Sequence, residues 1–221
     1  MFTYDELLTR FVSWVESAHD VIAVFIIGSR ARENSPADAF SDLDLVLVVA
    51  DPERFLSSDE WIEYLGPYWM QFTERTFGGG KERRVLFEDA LDVDFCLFSE
   101  AQFRRIVTER EAHKIFSRGH RVVLDRVGLA DLLPDRSFEH SQVLPPLEGE
   151  FLNRVNDFWF HAVWIAKKLQ RGELWTAKSC LDCYMKQHLL WITECHAHVT
   201  EGWDYDTWHD GRFMEVWAEQ Q

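Results

Sequence analysis

Apolar residues follow two rhythms along this chain. Val21–Ile27 and Leu43–Val49 are short, β-branched runs bounded by polar residues, which predicts two buried strands. Residues 3–18 (TYDELLTRFVSWVESA) instead place Leu7, Leu8, Phe11, Val12 and Val15 at helical spacing, and Thr3 with Glu6 reads as a capping box. Further strands are expected over Arg84–Glu88 and Leu91–Phe98, and helices over 57–65 and 100–117. Gly78-Gly79-Gly80 reads as a hairpin loop, because no Lys-Ser/Thr pair follows to make a phosphate loop. Arg121 to Leu133 is short and mixed.

The rhythm changes after Pro134. Residues 134–149 (PDRSFEHSQVLPPLEG) are proline-rich and polar and read as a linker between a first domain, 1–133, and a helical domain, 150–221. Glu150 to Arg171 carries Phe151, Leu152, Val155, Phe158, Trp159, Ala162, Val163 and Ala166 on one broad face, and Gly172 stops it. A second long helix is expected from Glu173 to His198, and another begins between Trp208 and Trp217. The tryptophans concentrate in this half and are expected to pack between helices.

Composition narrows the picture. The net charge of -15 argues against a nucleic-acid partner and suits a small cationic ligand. No apolar run reaches the ~20 residues of a membrane helix. MFTYDELLTR lacks the basic and apolar regions of a secretory signal, so the cytoplasm is expected. Cys180 and Cys183 form a C-x-x-C inside a helical pattern without a second pair; packing as buried thiols is the expectation.

The chemistry gathers around the first two strands. Asp42 and Asp44 lie two apart at the start of the second apolar run, so both carboxylates face one side of the sheet. Two like charges held together call for a cation, and oxygen-only ligands select a hard one such as Mg²⁺. Gly28-Ser29, ending the first strand, offers backbone N–H groups and a hydroxyl to an anion, and residues 29–33 read as a short helix facing it. Arg30 reads either as a nucleotide partner or as a surface salt bridge. In LDVDFCLF, Asp92 and Asp94 share one face while Val93, Phe95 and Leu97 face a core. Further along, Lys178, Asp182 and Lys186 form a helical ion-pair stripe, followed by Glu194, His196 and His198. The two histidines, two apart on a helix, are poorly placed to share zinc and are expected satisfied or exposed.

Gly28-Ser29 followed by Asp42-Leu43-Asp44 resembles the GS…DxD signature of the DNA polymerase β-like nucleotidyltransferases. The longer match, from GSRARENSPADAFSDLDLVLVV through LFEDALDVDFCLF to RGELW, LDCYMKQ and WHDGRF, resembles the aminoglycoside 6-adenylyltransferase (streptomycin adenylyltransferase) family across nearly the whole chain. The resemblance implies an α+β fold, a mixed and mostly antiparallel sheet with helices, followed by an all-α substrate-binding domain. That family continues past the WHDGRF region, so the helical domain is expected to be shortened here. The implied reaction is transfer of AMP from Mg·ATP to a hydroxyl of an aminoglycoside, with release of pyrophosphate. It makes Asp94 the third metal-site carboxylate beside Asp42 and Asp44, with Asp94 or Asp92 as base. It assigns Gly28, Ser29, Arg30 and Lys178 to the nucleotide, and Asp92, Asp182 and Glu194 to the ammonium groups of the acceptor. A monomer or homodimer acting on small molecules, without nucleic acid or membrane, follows. Another acceptor, such as a lincosamide or a protein hydroxyl, would use the same carboxylates, and so would a silent nucleotide-binding homologue.

Overall fold

The computed structural model describes residues 2–135 and 143–218, with Arg110 and Glu111 as backbone only. They belong to two compact units, residues 1–139 and 140–221. The proposed linker falls partly on 136–142, outside the described residues.

Helix α1 (Tyr4–Ser17) starts at the capping box: the Glu6 N–H donates to the Thr3 hydroxyl at 3.3 Å, and the Thr3 N–H donates to the Glu6 carboxylate at 3.0 Å. Strands β1 (Val21–Ile27) and β2 (Leu43–Val49) follow, with the bounds that the apolar runs predict. The helix expected over 57–65 is shorter, α3 (Glu60–Leu65), and is preceded by α2 (Pro52–Ser57), which the pattern does not reveal. Asp51 starts α2 by accepting the Glu53 and Arg54 N–H groups, and Pro52 suits the first helical position, where no N–H is needed. Strand β3 (Tyr68–Arg75), which the pattern does not reveal, is largely exposed. It joins β4 (Lys81–Phe87) through the triple-glycine turn, where Gly78 and Gly79 take φ of 61° and 74°. Strand β5 (Leu91–Phe98) leads through a capping box at Ser99 into α4 (Glu100–Ile106) and α5 (Arg110–Ser117). The single helix expected there breaks at 107–109, where the Thr108 hydroxyl donates to the Arg105 carbonyl at 2.6 Å. Strand β6 (Arg121–Asp125) completes the sheet.

The sheet order is β3-β4-β5-β2-β1-β6. Only β2 and β5 run parallel, so the mixed, mostly antiparallel sheet is as expected. Both faces of its centre are covered, which explains continuous apolar runs in place of alternation. Leu43, Leu45, Leu47, Val93, Phe95 and Leu97 pack against α1, α2 and α3 through residues such as Phe11 and Trp61. Phe25, Val46, Val48, Cys96 and Phe98 pack against Phe103, Ile106 and Phe116 of α4 and α5.

The second unit is all helical. Helix α6 (Glu148–Gln170) is stopped by Gly172 at φ 73°. Helix α7 (Leu174–Ser179) passes through a π-helical segment, Cys180–Met185, into α8 (Lys186–Glu201), so the predicted second helix is present with a bulge inside it. A short α9 (Met214–Trp217) comes last. Ile165, Ala177 and Met185 form a small core here. The tryptophans do not all pack as expected: Trp159 on α6 is 64% exposed, because the apolar stripe there is wider than its contact with α7 and α8, and Trp175 at the start of α7 is 85% exposed. All four cysteines are free; within the π-helical segment Cys180 is half-buried and Cys183 exposed, so the C-x-x-C pair does not pack as two buried thiols. His198 is buried and stacked on Trp203, while His196 is exposed. Among the described residues no helix is long and apolar enough to cross a membrane.

Candidate active site

Parallel pairing of β2 with β5 builds the site. The ladder sets Asp44 directly across from Asp94, and Asp42 follows on the same face at the open end of β2. One carboxylate oxygen from each of Asp42, Asp44 and Asp94 lies within 4.8 Å of the others. Asp94 is buried and the other two are half-buried. Three anionic oxygen donors this close repel one another unless a cation joins them, and an all-oxygen set fits a hard divalent ion.

Gly28 closes against this cluster. Its φ is 70°, and a Cβ built on it would overlap the Asp44 carboxylate, so a larger residue at the end of β1 would have to displace Asp44. Gly28–Arg30 forms one 3₁₀ turn, shorter than the helix expected over 29–33. The Ser29 side chain is buried there, and its hydroxyl has no hydrogen-bond partner. Such a group normally finds a partner, which makes Ser29 the best candidate in this turn to bind an anion.

Arg30 faces elsewhere. Its guanidinium stacks on the Tyr4 ring, 3.6 Å from the ring centre, and donates from Nε and Nη2 to the carbonyls of Asp42 and Ser41, both at 2.9 Å. It lines a cleft of about 330 Å³ with Tyr4, Ile26, Ser29 and Leu43, on the α1 side of the sheet, opposite the carboxylates. These contacts are to backbone carbonyls and a ring, not to a surface carboxylate.

The structure adds residues that the pattern did not suggest. From β4, Arg84 lies opposite Asp94 and donates Nε to Oδ1 at 2.8 Å and Nη2 to Oδ2 at 2.6 Å. It also meets Glu74 at 3.0 Å and lies 3.9 Å from Glu82. These partners hold the guanidinium firmly charged, the Asp94 hydrogen bonds most of all. Glu82 is raised above the ordinary glutamate range by burial, with a further push from Asp94, while hydrogen bonds from Thr76 and Cys96 oppose the rise. Burial first, and then Glu82, push the Cys96 thiol up. Asp92 shares this face, and burial followed by repulsion from Asp94 raises its carboxyl. The available signal was strand alternation in KERRVLF, which sets Glu82 and Arg84 on one face once β4 is paired with β5.

Lys178, Asp182 and Glu194 belong to the helical unit. Asp182 pairs with Lys178 at 3.2 Å and with Lys186 at 3.7 Å, and the Lys178 hydrogen bond leads in holding its carboxyl low. Glu194 is raised by burial and then by Asp210.

The chain is similar to known proteins along its length. A family model described as streptomycin adenylyltransferase matches residues 1–221. The chain is 26% identical to the aminoglycoside 6-adenylyltransferase of Bacillus subtilis, over 97% of this chain and 76% of that protein. It is 22% identical to the enzyme of the same name from Staphylococcus aureus, with the same coverage. Among solved structures, an aminoglycoside 6-adenyltransferase from Bacillus subtilis aligns with 99% of this chain and 76% of its own, at 19% identity and a TM-score of 0.43. With the family model spanning the whole chain, this protein belongs to the streptomycin adenylyltransferase family and is a nucleotidyltransferase.

Proposed function

We propose that this protein transfers AMP from Mg·ATP to a hydroxyl of an aminoglycoside such as streptomycin and releases pyrophosphate. The observation that carries the reading is the Asp42–Asp44–Asp94 cluster, gathered at one end of the parallel β2–β5 pair in a chain of this family. The relatives that bear the name aminoglycoside 6-adenylyltransferase supply the acceptor class.

Asp42, Asp44 and Asp94 would hold Mg²⁺, which when bound neutralises triphosphate charge and polarises the phosphoryl group under attack. Gly28 lets the β1 turn approach closely, and the orphaned Ser29 hydroxyl donates to a phosphate oxygen. The acceptor hydroxyl bonds to the α-phosphorus as the bond to the pyrophosphate oxygen breaks, and a carboxylate of this face takes the released proton. Asp94 and Asp92 are the two candidates, which separate Asn substitutions distinguish. Arg84 orients Asp94 through both of its oxygens. In the helical unit, Lys178 serves the nucleotide, and Asp182 and Glu194 join Asp92 in binding ammonium groups. The strongly acidic balance of the chain favours a cationic acceptor.

The test is pyrophosphate release from Mg·ATP across a panel of aminoglycosides, with Asp44→Asn as control. Turnover with one compound, absent in the variant, supports both the reaction and its acceptor class. Silence across the panel with Mg²⁺-dependent ATP binding intact overturns the acceptor, and turnover that survives in Asp44→Asn overturns the site.

A further inference from the structure

The β2–β5 ladder ends at Leu43 and Val93, so Asp42 lies beyond the last pair that fixes its strand. Its backbone position has to be set by something outside the sheet. Tyr4 and Arg30 meet that need. The Tyr4 hydroxyl accepts the Asp92 N–H at 3.0 Å and donates to the Asp92 carbonyl at 3.3 Å. The ring of Tyr4 carries the Arg30 guanidinium, which donates to the carbonyls of Ser41 and Asp42. A chain of contacts therefore runs from the Asp92 backbone, through Tyr4 and Arg30, to the Asp42 backbone. It continues the β2–β5 pairing where the ladder stops, from the face opposite the carboxylates.

We infer that Tyr4 and Arg30 form a strut that sets the spacing between the Asp42 end of β2 and the Asp92–Asp94 end of β5, and so act as positioning residues for the cation that these carboxylates bind. Both act through backbone atoms of the acidic segments. The planar guanidinium suits the task, because one flat group can stack on a ring and satisfy two carbonyls together. The demand is strict: Mg²⁺ tolerates little departure from octahedral geometry, so a small drift of Asp42 away from Asp94 weakens the site. The inference rests on the carboxylate cluster being the metal site.

Two readouts on the full chain test it, in Tyr4→Phe, Arg30→Ala and Arg30→Lys. The first is hydrogen exchange at the amides of 38–44 and 91–94, which reports the strut without any metal. The second is Mn²⁺ affinity by electron paramagnetic resonance, with the KM for ATP measured at saturating Mn²⁺. Tyr4→Phe keeps the ring and should deprotect the Asp92 amide; Arg30→Ala should deprotect 41–44. Both should weaken Mn²⁺ about tenfold or more, the usual effect of losing a group that supports a metal ligand. The KM for ATP at saturating metal should stay unchanged, and millimolar ethylguanidinium should restore Mn²⁺ affinity to Arg30→Ala. Arg30→Lys, which keeps charge without the flat fork, should fall between. Unchanged exchange and Mn²⁺ affinity in both Tyr4→Phe and Arg30→Ala would overturn the strut. A raised KM for ATP with normal Mn²⁺ affinity in Arg30→Ala would also overturn it, and make Arg30 a nucleotide ligand. Absence of Mn²⁺ binding in the unsubstituted protein would overturn the reading of the carboxylates and the strut's metal role with it, even with exchange altered.

Discussion

Arg84 grips Asp94 with two parallel hydrogen bonds, Nε to Oδ1 at 2.8 Å and Nη2 to Oδ2 at 2.6 Å, from directly across the β4–β5 ladder. The Asp94 side chain is 7% exposed and that of Arg84 33%. Arg84→Met therefore leaves a buried carboxylate without its counter-charge. Fully buried pairs broken in this way cost about 3–5 kcal/mol. With Arg84 partly in solvent, we expect about 1–3 kcal/mol from urea unfolding. Arg84→Lys keeps the charge but cannot meet both oxygens, so it should recover only part of the loss.

Glu82 gives a pH signature. Burial raises its carboxyl, so the folded protein holds that proton more tightly than the unfolded chain. The corresponding stability is complete below the ordinary glutamate range and is lost as pH rises through the folded value. Glu82→Gln, always neutral, should match the parent in thermal midpoint near pH 4 and exceed it increasingly towards pH 8. A gap that stays flat with pH would refute burial as the cause.

At Gly28, Ala meets both an unfavourable φ of 70° and the Asp44 carboxylate. The backbone strain is worth about 1–3 kcal/mol, and relief by moving Asp44 disturbs the carboxylate cluster proposed to hold the metal. We expect Gly28→Ala to lower the thermal midpoint and to cut turnover by about a hundredfold, the scale of an ångström-size misplacement. A variant that loses stability but keeps full turnover would show that Asp44 need not hold this position.

Metal removal separates the site from the fold. Mg²⁺ or Mn²⁺ should raise the thermal midpoint of the parent in a concentration-dependent way, since ligand binding to the native state stabilises it. Asp44→Asn should abolish that rise while its circular dichroism stays native. A full metal-induced rise in the variant would remove Asp44 from the ligand set.

Local pattern carried a good part of this protein. Val21–Ile27, Leu43–Val49 and Leu91–Phe98 are legible because each is buried on both sides of the sheet, and their bounds coincide with the apolar runs. Strand β3 was not legible, because an exposed edge such as Tyr68–Arg75 needs no apolar rhythm. The apolar spacing over 100–117 persists across the break at Thr108, so the pattern alone predicts one continuous helix. In the helical unit the stripe on α6 was readable, but the exposure of Trp159 on it was not, since width alone does not say how much of a face is covered.

The site divides in the same way. The two-residue period of a strand was enough to put Asp42 and Asp44 on one face, and family resemblance pointed to Asp94. Only the tertiary structure decided that β2 and β5 are parallel neighbours in a register that sets Asp44 against Asp94. It alone brought Arg84 onto that pair and turned Arg30 towards Tyr4. Side-chain period is a local property that the chain writes residue by residue. Register between distant strands follows from burying both sheet faces at once, and no single segment holds that information.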